Sequence, residues 1–374
     1  MRVMRVLRVI GAMDRGGAES LLMNIYRNID RDKLQFDFLV HEAKDCDFDK
    51  EIKRLGGGIF HIPRFVGLNP FAYARHCRDF FFQNNDYVAV HVHIGSSAAI
   101  VIREAKRYGL YCIAHSHNTN PPLSPFELAF RFFSYPTRKL ADYFFACSRQ
   151  AGIDRYGIEV VEGPNFAVLN NGIELSRYQF DLDSRVSYRD SLGLSSSELA
   201  VCHVGRFASQ KNHHFLIESF SLFVKENRCA KLFLIGRGPL EPEIEKQAAD
   251  LGIRDKVVFL GVRDDVPKLL MAMDVFVFPS SYGGLGIAAI EAQATGLPSL
   301  LSPELPSMAF YSPYAIRING LKDPVSLKDQ IALVSPRAAE LRVDGVEYAK
   351  DGGFDIVETA KRLSEFYEQV GGKA

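Results

Sequence analysis

The sequence predicts an α/β protein built from two doubly wound, Rossmann-like domains that face each other across a cleft. Three observations carry this. Short apolar strand patterns alternate with helical ones along the chain, as in parallel sheets covered by helices on both faces. The 374 residues exceed the usual size of one domain, so two domains of about 150 to 200 residues are the default. Finally, a polar, turn-rich stretch from Asn170 to Asp183 separates two cycles of the alternation and reads as a linker.

The first cycle opens at the N-terminus. Met1 to Ile10 alternates arginine with apolar residues and lacks the uninterrupted apolar core of about 7 to 15 residues that a signal peptide needs. It therefore reads as a strand, Arg5 to Ile10. Gly16 and Gly17 follow and open a helix from Ala18. A helix N-terminus of this kind can hold a phosphate or an acceptor oxygen, or it can be a bare connecting turn. Glu19 would face an acceptor or simply the helix dipole. The strand Phe36 to His41 precedes a helix at Asp49 to Leu55, and Tyr87 to His93 precedes one from Ser96. His91 and His93, then His115 and His117, form two His-x-His pairs at the ends of neighbouring strands. Residues two apart on a strand share a face, so each pair fits metal ligands or residues lining a cleft. A metal-dependent hydrolase would need a carboxylate pattern near these histidines, and the sequence has none.

The second cycle runs through Leu199 to Val204, Lys231 to Ile235, Val257 to Leu260 and Val275 to Phe278, the last an apolar interior strand stopped by Pro279. Arg206 and Lys211 lie in the loop Gly205 to Asn212, after the carboxyl end of a strand, where ligands bind in sheets of this type. The alternative is two solvated surface cations. Gly236 and Gly238, in Ile235-Gly-Arg-Gly-Pro239, line a site or serve only as turn residues. After the last strand, Gly283, Gly284, Leu285 and Gly286 lead into a helix. There a ligand can approach the backbone closely, and the unpaired N–H groups at the helix start suit a phosphate. Glu291 within that helix suits the hydroxyls of a ribose.

Composition narrows the function classes. Forty-five basic and 45 acidic residues cancel, which argues against a nucleic-acid binder held by net positive charge. The six cysteines form no CxxC pair or metal spacing and read as isolated thiols of a reducing cytosol. The longest apolar stretch, Tyr87 to Ile102, falls short of the roughly 20 residues of a membrane span. Asp45-Cys-Asp47 and Asp181-Leu-Asp183 imitate a metal-binding Asp-x-Asp but follow no apolar strand in the required context, so solvated loop acids are expected. Phe71 to Phe82 and Pro125 to Lys139 mix aromatic with basic residues, as core helices or as helices at a membrane surface.

The order and spacing of five segments resemble the retaining family 4 glycosyltransferases of GT-B fold, in particular enzymes of bacterial capsule and exopolysaccharide biosynthesis. These segments are Val9 to Ser20, Ile113 to Thr119, Val204 to His213, Phe259 to Pro267 and Phe278 to Pro298. The resemblance implies an N-terminal acceptor-side domain over residues 1–178 and a nucleotide-sugar domain over 179–355, with a last helix, 356–374, that packs back on the first. It further implies transfer from a nucleotide diphosphate sugar, a UDP-sugar by analogy, to a growing polysaccharide or polyprenyl-linked acceptor at the cytoplasmic face of the membrane. Arg206 and Lys211 would hold the diphosphate in place of a metal ion, with no cofactor, and His117 would sit beside the donor sugar. Val262 and Arg263 would meet the base through backbone groups. The family usually carries a second glutamate where this chain has Gly283. That departure keeps open a nucleotide-sugar-binding relative with weak or lost transfer. A UDP-sugar epimerase of the same shape is a third reading.

Overall fold

The computed structural model describes residues 3–118, 124–282, 284–335, 342 and 344–372. The chain divides into two units, Met1–Ile173 with Asp355–Ala374, and Glu174–Phe354. The division falls inside the polar stretch at 170–183 and gives Tyr178 to the second unit. Asp181 there caps the helix Leu182–Ser191, its side chain accepting the Ser184 N–H at 2.9 Å.

In the first unit, β1 (Met4–Val9), β2 (Leu34–Val40), β3 (Ile59–His61), β4 (Ala89–Val92), β5 (Tyr111–Ser116), β6 (Tyr143–Ala146) and β7 (Phe166–Val168) form one parallel sheet. Their order is β3-β2-β1-β4-β5-β6-β7. Winding proceeds outward from β1 in one direction and from β4 in the other, so the topological switch lies between these two strands. The central strands are buried on both faces because helices cover both. Val6 and Phe36 belong to one core, Leu7, Val9 and Val90 to the other. The last helix, Ile356–Gly371, completes the first of these cores with Ile356, Ala360, Leu363 and Tyr367. Phe366 is half-buried beside Tyr367.

The second unit repeats the plan. β8 (Leu199–Val204), β9 (Ala230–Ile235), β10 (Val257–Gly261), β11 (Val275–Phe278), β12 (Ser299–Leu301) and β13 (Ala315–Arg317) are parallel and ordered β10-β9-β8-β11-β12-β13. The switch point is between β8 and β11. Asp274 ties these strands at their amino ends, its carboxylate accepting from Arg185 at 2.5 Å, from Arg189 at 3.0 Å and from the Ala200 N–H at 2.8 Å.

Candidate functional site

Four adjacent strands of the second unit, β10, β9, β8 and β11, deliver their following loops side by side, and most of the residues selected from the sequence lie there. Backbone hydrogen bonds lace the loops together. Gly205 N–H donates to Ile235 O at 2.9 Å, Phe207 N–H to Arg237 O at 3.1 Å, and Gly236 N–H to Gly261 O at 2.8 Å. On the other side, the Ser281 N–H donates to Gln210 O at 2.8 Å and the Gln210 amide to Tyr282 O at 2.7 Å. The loop carrying Arg206 and Lys211 is thus fixed from both flanks, at the switch point where ligands bind in doubly wound sheets.

Gly236 and Gly238 make this lacing possible. A Cβ on Gly236, at φ +138°, would lie 2.2 Å from Gly205 O, and one on Gly238 would lie 2.3 Å from Phe207 O. Backbone packed this closely admits no side chain, so both glycines hold the Arg206 loop in place.

Lys211 is half-buried, and its ammonium sits 4.4 Å from the centroid of the Phe278 ring. Burial pushes its pKa down to about 8. No carboxylate among the described residues pairs with it or with the exposed Arg206. Two cations at a ligand-binding edge with no anion of the protein's own suit an anionic ligand. Arg263 differs. Its guanidinium is bidentate to Asp265, at 2.8 and 2.6 Å, so its side chain is already engaged and only its backbone is left for a ligand.

Gly284, Leu285 and Gly286 form the loop into the helix Ile287–Ala294, with Gly286 at φ +74° as its N-cap. Gly283 lies outside the described residues. Glu291, half-buried on that helix, accepts a 2.6 Å hydrogen bond from the Tyr178 hydroxyl on Oε1. Burial raises the pKa of Glu291, opposed by Tyr178 and Arg177. Tyr178 thus orients the carboxylate and leaves Oε2 without a partner among the described residues. Neither Tyr178 nor the Phe278 ring was identified from the sequence. Their only trace there is an aromatic in a polar stretch and one more apolar residue in a strand.

His117, Gly16 and Gly17 belong to the first unit. Gly16 caps the helix Gly17–Asn28 with extended backbone. The Glu19 carboxylate folds back over Gly16, so that a Cβ there would meet it at 2.2 Å. The two His-x-His pairs form one stacked array at the switch point. Ring centroids are 4.4 Å apart for His91 and His93, 4.1 Å for His115 and His117, and 5.3 Å for His91 and His115. His93 Nδ1 and His117 Nε2 share a hydrogen bond of 2.8 Å. At the inner end Arg8, fully buried on β1, points Nη1 at His91 Nδ1 from 2.7 Å, and the Tyr367 hydroxyl reaches the same nitrogen at 2.6 Å. Burial, reinforced by Arg8 and the neighbouring rings, holds His91, His93 and His115 well below the usual histidine pKa, and that of His117 falls to about 4.

His91, His93 and His115 come within 4.8 Å of one another through their ligand atoms, which raises the metal reading again. Guanidinium can only donate, so Nδ1 of His91 accepts in this arrangement and the neutral ring carries its proton on Nε2. That leaves His93, His115 and the adjoining His117 as the imidazoles of the array with a lone pair to offer.

The family model Glycosyltransferase Family 4 matches residues 15–177, and that of glycosyl transferases group 1 matches residues 184–311. The chain is 33% identical over 328 residues to the putative glycosyltransferase EpsF of Bacillus subtilis (strain 168), covering 86% of this chain and 85% of that protein. It is 30% identical over 145 residues, 38% of either chain, to the UDP-Gal:alpha-D-GlcNAc-diphosphoundecaprenol alpha-1,3-galactosyltransferase of Escherichia coli. Anabaena HepE, solved in complex with UDP, superposes with a TM-score of 0.79 over 98% of this chain and 100% of its own at 18% identity. That last likeness is one of fold, and the fold is GT-B, as the sequence predicts.

Proposed function

The chain belongs to the family 4 glycosyltransferases, and from that premise we propose that it moves a hexosyl group from a UDP-sugar to a growing surface polysaccharide or lipid-linked oligosaccharide, with retention of configuration and without a metal ion. The observation that carries this is the pair Arg206 and Lys211, two cations with no carboxylate partner among the described residues, in a loop fixed from both sides. Departure of a nucleoside diphosphate concentrates negative charge on the leaving phosphate, and preorganised cations stabilise it. Glu291, oriented by Tyr178, takes the ribose hydroxyls. His117, neutral at physiological pH, can exchange hydrogen bonds with hydroxyls of the donor sugar. Two names support donor and acceptor class: that of the E. coli relative, which specifies a UDP-sugar and a polyprenol-linked acceptor, and that of HepE, bound to UDP.

A UDP-sugar is expected to raise the thermal midpoint by binding the native state, and Glu291→Ala to weaken its affinity by about 1–3 kcal/mol in calorimetry. Sugar transfer, read by mass spectrometry, should persist in EDTA. If no nucleotide sugar shifts the midpoint, the reading fails. Binding without transfer would favour the alternative that Gly283 suggests, a relative that has lost the reaction. Interconversion of free UDP-sugars would indicate an epimerase.

We further propose that the protein works at the cytoplasmic face of a membrane, where an acceptor of that class would lie. No helix among the described residues is long and apolar enough to cross one. Leu68 and Phe71 are 95% and 90% exposed, and Phe132 is 74% exposed on the helix Pro125–Ser134. The Phe65 and Phe133 rings, 5.0 Å apart, join that helix to the loop before Leu68, and Arg64, Arg138 and Lys139 supply positive charge nearby in sequence. Vesicles containing phosphatidylglycerol should bind the protein, and Leu68→Asp with Phe71→Asp should abolish cosedimentation. Equal binding by the double variant would reject this surface.

A further inference from the structure

The buried guanidinium of Arg8 is an expensive group that the fold does not need. Its surroundings are aromatic: Phe36 lies 3.9 Å from its central carbon and Tyr367 lies 5.2 Å away. Nε and Nη2 have no hydrogen-bond partner. No carboxylate among the described residues pairs with the guanidinium; Asp37, on the neighbouring strand β2, is bidentate to Arg5, at 2.8 and 2.5 Å. A charge buried without a counter-ion costs several kcal/mol, and an apolar side chain of similar volume would usually serve stability better. What Arg8 does do is donate to His91.

That contact has a consequence at the far end of the array. Arg8 and the Tyr367 hydroxyl meet at His91 Nδ1 and fix the proton of His91 on Nε2. His91 stacks on His93 with their planes 18° apart, and His93 is hydrogen-bonded to His117. The array runs from fully buried His91 to half-buried His93 and His117. No carboxylate among the described residues touches it. Among the described residues the groups against it are Arg8 from β1, Phe145 from β6 and Tyr367 from the last helix, and the Cys147 thiol donates to the backbone carbonyl of His117. With a permanent cation at its inner end and no anion to offset a second one, the array stays neutral, and one proton is shared within the His93–His117 bond.

We propose that Arg8 and Tyr367 are positioning residues for His117: they lock the tautomer of His91 and, through the stacked imidazoles, hold His117 neutral and fixed in orientation. The role assigned to His117 rests on the function proposed above; the tautomer lock does not. Tyr367 is separated from His91 by 276 residues, so the lock depends on the last helix being seated on the first unit.

The test uses the full-length protein labelled with 15N-histidine, in which long-range proton–nitrogen spectra report the tautomer of each imidazole. Wild type should show His91 as the Nε2–H tautomer and the array neutral well below the usual histidine pKa. In Arg8→Met the His91 nitrogens should lose that fixed pattern and the array should take up protons nearer neutrality, since removing a neighbouring cation raises a histidine pKa. The acid limb of the activity profile should rise by about one pH unit or more. Turnover should fall roughly tenfold, with KM less affected, as expected from a displaced catalytic contact. Arg8→Lys, which keeps the charge and a donor, should restore part of each. If Arg8→Met does not fold, Arg8→Gln, neutral and able to accept as well as donate, carries the same spectral test. A wild-type His91 that is not the Nε2–H tautomer, or a folded Arg8→Met or Arg8→Gln protein with unchanged tautomers and pH profile, overturns the proposal. Full activity in His117→Ala, with the spectral changes present, would instead refute the role of His117 and leave the lock standing.

Discussion

Turnover of the Lys211→Ala protein is expected to fall about 100-fold or more, and Arg206→Ala comparably, because each change removes a preorganised cation from the leaving phosphate. Lys211 also makes a pH prediction. Burial pushes its pKa down to about 8, so the ammonium is present below that pH and is lost as the pH rises through it. A reaction that needs the cation is therefore fully active on the acid side and declines on the basic side. The profile of kcat/KM, which reports the free enzyme, should show a basic limb near 8. Lys211→Arg should remove that limb, since guanidinium stays charged across this range. Near-normal turnover in both alanine variants, with the fold intact by circular dichroism, would reject the assigned mechanism.

The largest expected effect on stability comes from Asp274→Ala, which should cost the second unit about 3–5 kcal/mol, the usual consequence of removing one partner of a buried ion pair. Arg185 and Arg189 converge on this carboxylate with side chains 15% and 9% exposed. Arg342, also buried, donates to the carbonyls of Met271 and Met273 just before it. Without Asp274 the arginines have no counter-ion there, and the Ala200 N–H loses its acceptor. Hydrogen exchange of the β8 and β11 amides would measure the loss locally, which matters in a chain of two units that need not unfold together. The exposed pair Lys106–Asp142, at 2.6 Å, provides the contrast: Lys106→Ala should cost under about 1 kcal/mol. Equal effects of the two substitutions would contradict this account of burial.

The sequence carried the strands that are apolar on both faces. Val275 to Phe278 could be placed because a parallel strand covered on both sides has no polar alternation to confuse it. Short edge strands such as β3 and β13, of three residues each, gave no comparable signal. Among site residues, Arg206, Lys211 and Glu291 were visible because a charge at the end of an apolar strand or within an alanine-rich helix stands out locally. Gly236 and Gly238 were visible as glycines, yet their task, admitting the backbone at 205–207, could not be read from their own segment.

What the sequence by itself determined is the alternation of strands and helices, and with it two doubly wound units whose loops at the carboxyl ends carry the charged and glycine residues. Pattern and spacing are properties of neighbouring residues, and they survive without coordinates. Only the tertiary structure decided which groups meet: Tyr178 with Glu291 across 113 positions, Phe278 beneath Lys211, Asp274 among its arginines, and Arg8 and Tyr367 on one nitrogen of His91. The physical reason is that hydrogen bonds and charge pairs act over a few ångströms of space whatever the separation along the chain. The place of the proton on His91 follows from such a contact and from nothing in the His-x-His spacing.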